Sequence, residues 1–244
     1  MTSDAPFHAR TALVTGGGRG IGRAIALALA RAGATVAVTA RGGRELDSVV
    51  DEITRGGGAA HALVADLTDD DAIVALVDRV RAALGGLDIL VHNAGGAPPH
   101  GDFARTPIAS VDATLRLNLR APMLLTHRLL PELRRRREAA IVFIASIAGM
   151  SGSAGAVTYS AAKFGIRGFA QSLFEEVREH GIRVAVISPG FVDTALVPPN
   201  RRIDRTRMLR PDDVAAAVLF ALRTSSTAAC AEIVLRPQRS PYVR

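Results

Sequence analysis

A chain of 244 residues with 48% apolar content is long enough for one α/β domain with a substantial core, and too apolar for disorder. Its net charge of +7 comes with only 4% aromatic residues and no tryptophan, which leaves single-strand nucleic-acid stacking unsupported; the charge reads as solvated surface, with some allowance for anionic ligands. One cysteine, Cys230, excludes an internal disulfide and any multi-cysteine metal site and suits a reducing cytoplasm, no apolar run is long enough to span a bilayer, and residues 1–9 are too short and polar for a signal peptide.

Residues 1–9 read as a loose tail. Thr11 to Thr15 form a short apolar strand, and Gly16-Gly-Gly-Arg19-Gly20-Ile21-Gly22 leads from it into the helical pattern Ala24 to Ala30. Strand, glycine turn and helix N-terminus in that order suit a pyrophosphate, because amides point outward and no Cβ blocks close approach. The spacing is not G-x-G-x-x-G, since Ile21 stands where the last glycine would fall. Nor is it a P-loop, since Arg23 and Ala24 follow Gly22.

Thr35 to Thr39 read as the second strand, followed by Ala40 and Arg41. Sites for NAD often carry an acid here for the ribose hydroxyls, whereas an arginine accommodates a 2′-phosphate. With Ala40 in the acid's place, and Arg41 and Arg19 nearby, the pattern favours NADP(H) over NAD(H). Residues 44–55 read as a helix ended by Gly56-Gly-Gly58. A third strand over 61–65 ends at Asp66-Leu67. Thr68 suits the next N-cap, and Asp69, Asp70 and Asp71 read as structural acids at a helix start, not as metal ligands.

Leu87 to Val91 read as the fourth strand, running into His92-Asn93-Ala94-Gly95. Residues 96–106, with several Gly and Pro, read as a loop edging a pocket. A helical pattern runs from about Pro107 to Arg137. Within it Asn118 competes for backbone hydrogen bonds and can loosen a turn, and Arg134 to Arg137 read as a solvated helix end.

Ala140 to Ala145 read as a buried parallel strand that delivers Ser146 at its carboxyl end, where ligands of such sheets sit. Tyr159 follows thirteen residues later, and Lys163 four after that, on the same helical face. Lys163 is the only lysine beside 29 arginines. An ammonium is a compact charge that fits beside a phenol, where a guanidinium is a wide fork. A phenol has a pKa near ~10 and a neighbouring cation favours its ionised form, so Tyr159 reads as a general acid/base. The helix runs to His180 and Gly181 caps it. Its small residues Ala161, Ala162, Gly165, Gly168 and Ala170 suit close helix packing.

Ile182 to Ile187 read as the sixth strand, and Ser188-Pro189-Gly190-Phe191-Val192-Asp193-Thr194 follow. Residues 195–210, with Pro198, Pro199 and five arginines, read as a mobile lid carrying solvated charge. Pro211 opens a helix to Leu222, Cys230 to Leu235 form a last strand, and 236–244 read as a C-terminal tail with Tyr242 frayed.

Ser146, Tyr159 and Lys163, with the turn Thr15-Gly16-x-x-x-Gly20-Ile21-Gly22, resemble the short-chain dehydrogenase/reductase family over about residues 10–235. The resemblance implies a catalytic set of Asn118, Ser146, Tyr159 and Lys163, in which Asn118 holds a water that links the lysine to solvent. It implies cofactor contacts at Gly16, Arg19, Gly20, Ile21, Gly22, Arg41, Asp66, Leu67, Asn93, Gly95, Tyr159, Lys163, Pro189, Gly190, Val192 and Thr194. Asp66 would lie at the adenine end, Asn93 would tie neighbouring strands together, and Gly95 would let the backbone pass the cofactor. Lys163 would hold the nicotinamide ribose, while the Val192 backbone and Thr194 hydroxyl would hold the carboxamide. The helix carrying Tyr159 would face a second subunit, in a homodimer or homotetramer. Two departures stand out: His92 replaces the first Asn of the family's N-N-A-G, and Arg236-Pro-Gln-Arg239 replaces its D-G-G end.

The expected architecture is one Rossmann-type doubly wound parallel sheet with helices on both faces, occupying residues 10–235. The expected function is hydride transfer between NADP(H) and a small carbonyl or alcohol substrate, without nucleic-acid or membrane partners. Ala97, Ile147, Met150, Phe191 and the lid suggest an apolar pocket. The alternatives are a non-catalytic dinucleotide-binding sensor or scaffold, and a same-fold epimerase or dehydratase that retains its cofactor.

Overall fold

Strand β1 (Thr11–Thr15) divides its side chains between two separate cores, with Ala12 and Val14 on one face and Leu13 on the other. Both faces are covered, so its centre, Ala12-Leu13-Val14, is apolar throughout instead of alternating with polar residues. A computed structural model describes residues 5–96, 101–197 and 199–243. The remaining strands are β2 (Thr35–Ala40), β3 (Ala59–Val64), β4 (Ile89–His92), β5 (Ala139–Ile144), β6 (Ile182–Pro189) and β7 (Glu232–Leu235). All seven pair in parallel in the order β3-β2-β1-β4-β5-β6-β7.

Helices α1 (Gly20–Arg31), α2 (Gly43–Arg55) and α7 (Pro211–Leu222) cover one face. Helices α3 (Asp70–Leu84), α5 (Ala121–Leu133) and α6 (Val157–Val177) cover the other. Helix α4 (Ile108–Leu115) packs on α6 at one end of that layer. The chain runs outward from β1 through β2 to β3, then returns to place β4 on the opposite side of β1. The order in which strands are laid down therefore reverses between β1 and β4, and in such sheets ligands sit in the crevice at the carboxyl ends of these strands.

The long helical pattern after Pro107 is interrupted where Asn118 stands. Residues Arg116–Arg120 form a π turn between α4 and α5. The Asn118 side-chain amide donates to the Thr114 carbonyl four residues back (2.9 Å). That carbonyl is the α-helical acceptor of the Asn118 backbone N–H, and a wider turn accommodates the competition.

Three expectations are corrected. The first concerns the N-terminal tail: Phe7 is 4% exposed, its N–H donates to the Ala32 carbonyl (2.9 Å), and the Arg223 guanidinium lies 5.9 Å from its ring centre. An aromatic ring packed beyond the first strand is gained at little cost in order, because β1 already fixes the chain at Thr11. Secondly, Asp69 and not Thr68 caps α3, accepting from the Asp71 and Ala72 amides, while Thr68 is drawn back to the Asp66 carboxylate. A carboxylate is the stronger acceptor at a positive helix end. Thirdly, the C-terminal segment is not frayed at Tyr242. This residue forms an antiparallel bridge with Ile203, its ring meets Phe191 edge-on at 5.5 Å, and the Val243 amide donates to Arg202.

Candidate active site

The glycine turn after β1 is built for backbone approach. Gly16 has φ +64°, a left-handed conformation, and a Cβ on Gly22 would stand 2.1 Å from the Gly16 carbonyl oxygen. The buried Thr15 hydroxyl accepts from the Asn93 and Ala94 amides (2.9 and 3.0 Å) and donates to the Val91 carbonyl (3.3 Å). The Asn93 side-chain amide in turn donates to the carbonyls of Thr15 and Gly16 (2.9 and 3.2 Å). The ends of β1 and β4 are thus tied together on the floor of the crevice.

At the end of β2, Arg41 is exposed, and Arg19 pairs with Glu45 at 3.6 Å across the glycine turn. Asp66, at the end of β3, accepts from the Thr68 amide and hydroxyl (2.9 and 2.8 Å). The Thr68 amide bond holds its carboxyl below the usual range, against burial, with the Thr68 hydroxyl and the charge of Arg41 assisting.

Strand β5 delivers Ser146, whose Oγ accepts from the Ala148 amide (3.1 Å) and caps the short 3₁₀ turn Ile147–Gly149. Helix α6 delivers Tyr159, whose phenol feels the Ser146 side chain, and one turn later Lys163, which is 5% exposed. Lys163 Nζ donates to the Ile144 carbonyl (2.9 Å) and lies 5.6 Å from the centre of the Tyr159 ring. Burial drives the lysine pKa down to about 8.

The phenol does not follow the expectation that the lysine lowers its pKa. Burial pushes Tyr159 up, and the Ser146 side chain opposes it. The ammonium sits beside the ring and is turned toward Ile144, away from a direct bond to the hydroxyl. Tyr159 therefore holds its proton at neutral pH, which is the donor form.

Asn118 is 2% exposed and acts as a strut. Its Nδ2 donates to the carbonyls of Gly96 and Thr114 (2.8 and 2.9 Å), and its Oδ1 accepts from the Gly96 amide (3.2 Å). Gly95 passes between this residue and Lys163: a Cβ there would lie 2.9 Å from Asn118 Oδ1 and 3.5 Å from Lys163 Nζ. On the far wall, Pro189 ends β6, and the Gly190 amide donates to Leu235 (2.8 Å). Val192 is buried and bridges in parallel to Leu209. The Thr194 methyl faces Gly20, 3.2 Å from where its Cβ would be, so this segment and the glycine turn close on one another.

Of the residues read from sequence, Gly16 and Gly22 meet Asn93, Gly20 meets Thr194, and Gly95 meets Asn118 and Lys163. Two turn their side chains into the cores: Leu67 is 7% exposed in one, and Ile21 packs partly buried on the opposite one. Ala97, with the rest of 97–100, and Pro198 lie outside the described residues. Arg205 corrects the reading of the lid's arginines as solvated. It donates to the Asp193 carboxylate (2.8 Å) and to the carbonyls of Val197 and Thr194 (2.9 and 2.8 Å). A guanidinium fork can close a loop on itself in this way, but five arginines in one loop do not distinguish which one does so. Thr15 was also legible only in part; its position next to Gly16 is the signal for its hydroxyl network.

His92 faces inward, bonded through Nε2 to the Thr126 hydroxyl (2.8 Å) and stacked on Phe143 at 4.8 Å between ring centres. Burial pushes its pKa down to about 3, so the ring is neutral. The histidine is a structural member of the β4 end.

Comparison with known proteins agrees with this geometry. The chain is 34% identical over 224 residues to the 3-oxoacyl-(acyl-carrier-protein) reductase FabG of Aquifex aeolicus, covering 88% of this chain and 90% of that protein. It is 35% identical over 228 residues to the 3-oxoacyl-(acyl-carrier-protein) reductase of Synechocystis, covering 91% and 92%. A metagenomic short-chain oxidoreductase solved with NADP superposes with a TM-score of 0.84 at 34% identity, over 96% of this chain and 99% of that one. A short chain dehydrogenase from Burkholderia cenocepacia, also solved with NADP, gives 0.87 at 34% identity, over 95% and 98%. Residues 10–204 match the profile of the short chain dehydrogenase family, and the chain belongs to that family.

Proposed function

We propose that this protein is an NADP(H)-dependent reductase of a small carbonyl compound, with the reverse alcohol oxidation available. The observation that carries this reading is the buried Lys163 ammonium, 5.6 Å from the centre of the Tyr159 ring and bonded to Ile144 on the strand that delivers Ser146, at the carboxyl end of the sheet where the strand order reverses. When bound, the nicotinamide dinucleotide supplies or takes the hydride. The residues present fit such a group: the cradle at Gly16 and Gly22 has no room for a Cβ, and a pyrophosphate suits the α1 N-terminus beyond it. Arg19 and Arg41, with no acid at Ala40, would hold a 2′-phosphate, and Asp66 would border the adenine end. Lys163 would hold the ribose, and the Val192 backbone and Thr194 hydroxyl the carboxamide.

In this reading the Tyr159 hydroxyl gives its proton to the carbonyl oxygen, which the Ser146 hydroxyl orients. Lys163 keeps a positive charge near the oxygen that is left. Asn118 positions Gly95 and Gly96 at the crevice wall; its second Oδ1 lone pair is what it has left for a water in a relay to the lysine. Met150 and Leu196, both exposed, and Phe191 would give the substrate side an apolar lining.

Carbonyl compounds screened for NADPH consumption test the reading. 3-Oxoacyl thioesters come first, because the similar Aquifex and Synechocystis proteins carry that name. Turnover is expected with the wild type and nearly abolished in Tyr159→Phe with NADPH binding retained. Retained turnover in that variant would overturn the assignment.

The homo-oligomer belongs to the same proposal. Leu115, Leu119, Met123, Leu130, Phe169 and Leu173 line an open groove across α4, α5 and α6, flanked by Arg116, Arg120, Asp112 and Glu176. Both charge signs at the rim allow the face to meet its own copy about a two-fold axis. Gly165 is filled from within the chain by Leu119, whereas Gly168 faces open space and is free for a partner. The single thiol of Cys230 fits a reducing, cytoplasmic location.

A further inference from the structure

One turn beyond Lys163, Arg167 makes contacts that neither the glycine turn nor the Ser-Tyr-Lys set requires. Its Nε and Nη2 each donate to a different oxygen of Glu232 on β7, both at 2.8 Å, and its Nη1 donates to the Gly149 carbonyl at 2.8 Å. The Ser188 hydroxyl, fully buried at the end of β6, donates to the same carboxylate (3.1 Å). Each partner reinforces the other's charge: the Arg167 bond holds the Glu232 carboxyl low, and the Glu232 bond holds the guanidinium high.

Gly149 gives this pair its consequence. It is the last residue of the 3₁₀ turn that Ser146 caps, and a Cβ on it would stand 2.5 Å from the Lys163 carbonyl oxygen. The turn thus lies directly on the α6 backbone at Lys163. A three-residue turn carries little stability of its own. Its far end is fixed by the Arg167 fork, and the fork is fixed by Glu232, which also holds β6 just ahead of Pro189-Gly190.

We propose that Arg167 and Glu232 form a positioning pair that sets the Ser146 hydroxyl against Tyr159 by gripping the Gly149 carbonyl. The inference rests on the reductase reading above. It adds two residues, 65 positions apart, that link the serine turn, the tyrosine–lysine helix and the wall at Pro189. A lysine at position 167 could keep the charge but not the three-way fork.

The test uses Arg167→Met, Arg167→Lys and the milder Glu232→Gln, each alone and combined with Ser146→Ala. With a carbonyl substrate that the wild type turns over, Arg167→Met should lower kcat by about tenfold to a hundredfold, the scale of a small misplacement. The KM for NADPH should stay within about twofold. Glu232→Gln should give a smaller loss of the same kind. In the Ser146→Ala background, Arg167→Met should cost almost nothing further, because the hydroxyl it positions is gone. Equal losses in both backgrounds, or unchanged kcat in Arg167→Met, would overturn the proposal. Tyr159→Phe run alongside separates the two readings: full turnover there would sink the reductase assignment itself.

A second readout needs no substrate. The chain has two tyrosines, Tyr159 and Tyr242, so ¹³Cζ-tyrosine labelling gives two signals, and Tyr159→Phe assigns them. Arg167→Met and Glu232→Gln should move the Tyr159 signal toward its position in Ser146→Ala. A Tyr159 signal that shifts in Ser146→Ala but stays at the wild-type position in both other variants would overturn the pair's role.

Discussion

The Nζ of Lys163 donates a hydrogen bond to the carbonyl of Ile144, two residues ahead of Ser146. The chain's single lysine is thereby fastened to the strand that presents the serine, and helix α6 and strand β5 are locked in register at the site. The ammonium is 5% exposed, so its charge is the most heavily desolvated in the crevice.

That burial has a measurable sign. The folded pKa of Lys163 is about 8, below the ordinary 10.5. Between these values the unfolded chain binds the extra proton, so this group's contribution to stability rises as pH rises from about 8 to 10.5. Activity should move the other way, since the ammonium is lost above about 8. Lysine-selective ¹⁵N labelling yields a single side-chain signal, and its titration midpoint should fall near 8. A midpoint near 10.5 would refute the desolvation argument.

His92 gives a second pH signature. Its pKa is about 3 in the fold against 6.5 for a free imidazole. Between those values the unfolded chain binds the extra proton, so stability is present above 6.5 and falls on acidification by roughly 1.4 kcal/mol per pH unit. Replacing it with the residue the family pattern has there, His92→Asn, should flatten the decline in denaturant midpoint between pH 6 and 4. Loss of the stack on Phe143 should lower the midpoint near neutral pH.

Two glycines should separate binding from chemistry. Gly22→Ala places a methyl 2.1 Å from a backbone oxygen, so the turn must shift and NADPH affinity should fall by about tenfold or more. Gly149→Ala meets the Lys163 carbonyl at 2.5 Å, away from the glycine turn. There kcat should fall while the NADPH Kd, read by fluorescence, stays close to that of the wild type.

The tie at Phe7 predicts a cost for shortening the chain. Phe7→Ala removes a ring that is 4% exposed, which typically destabilises by about 3 kcal/mol. Deleting residues 1–9 should lower Tm by at least as much as that substitution. Equal melting temperatures for the truncated and full chains would mean the ring contributes nothing.

The parts of this fold that were legible in the sequence are those whose physics is local. The β1 strand, the turn at Gly16–Gly22 and the α1 start are written in consecutive residues, and Asn118 announced a loosened turn because its side chain competes with its own helix. Ser146, Tyr159 and Lys163 lie within 18 residues of chain. What escaped depends on tertiary contact. Arg167 and Glu232 belong to different elements, and many other arginines read the same way in sequence. Whether a lysine bonds to a phenol or to a strand carbonyl is decided by the crossing of α6 over β5, which no residue pattern encodes. Phe7 lies outside any periodic run, so only the packed structure reveals its burial.

The bridge between Ile203 and Tyr242 has a practical side. Whatever polypeptide is joined at this end of the chain, an affinity handle or a fluorescent reporter included, is leashed through Tyr242 to the arginine-rich loop at Ile203, which the proposed function puts beside the substrate. On that reading, assays on fusions at that end would register disturbance of the loop along with the chemistry, and the opposite end, where Phe7 is tied to the C-terminal ends of α1 and α7, is the quieter place to attach cargo.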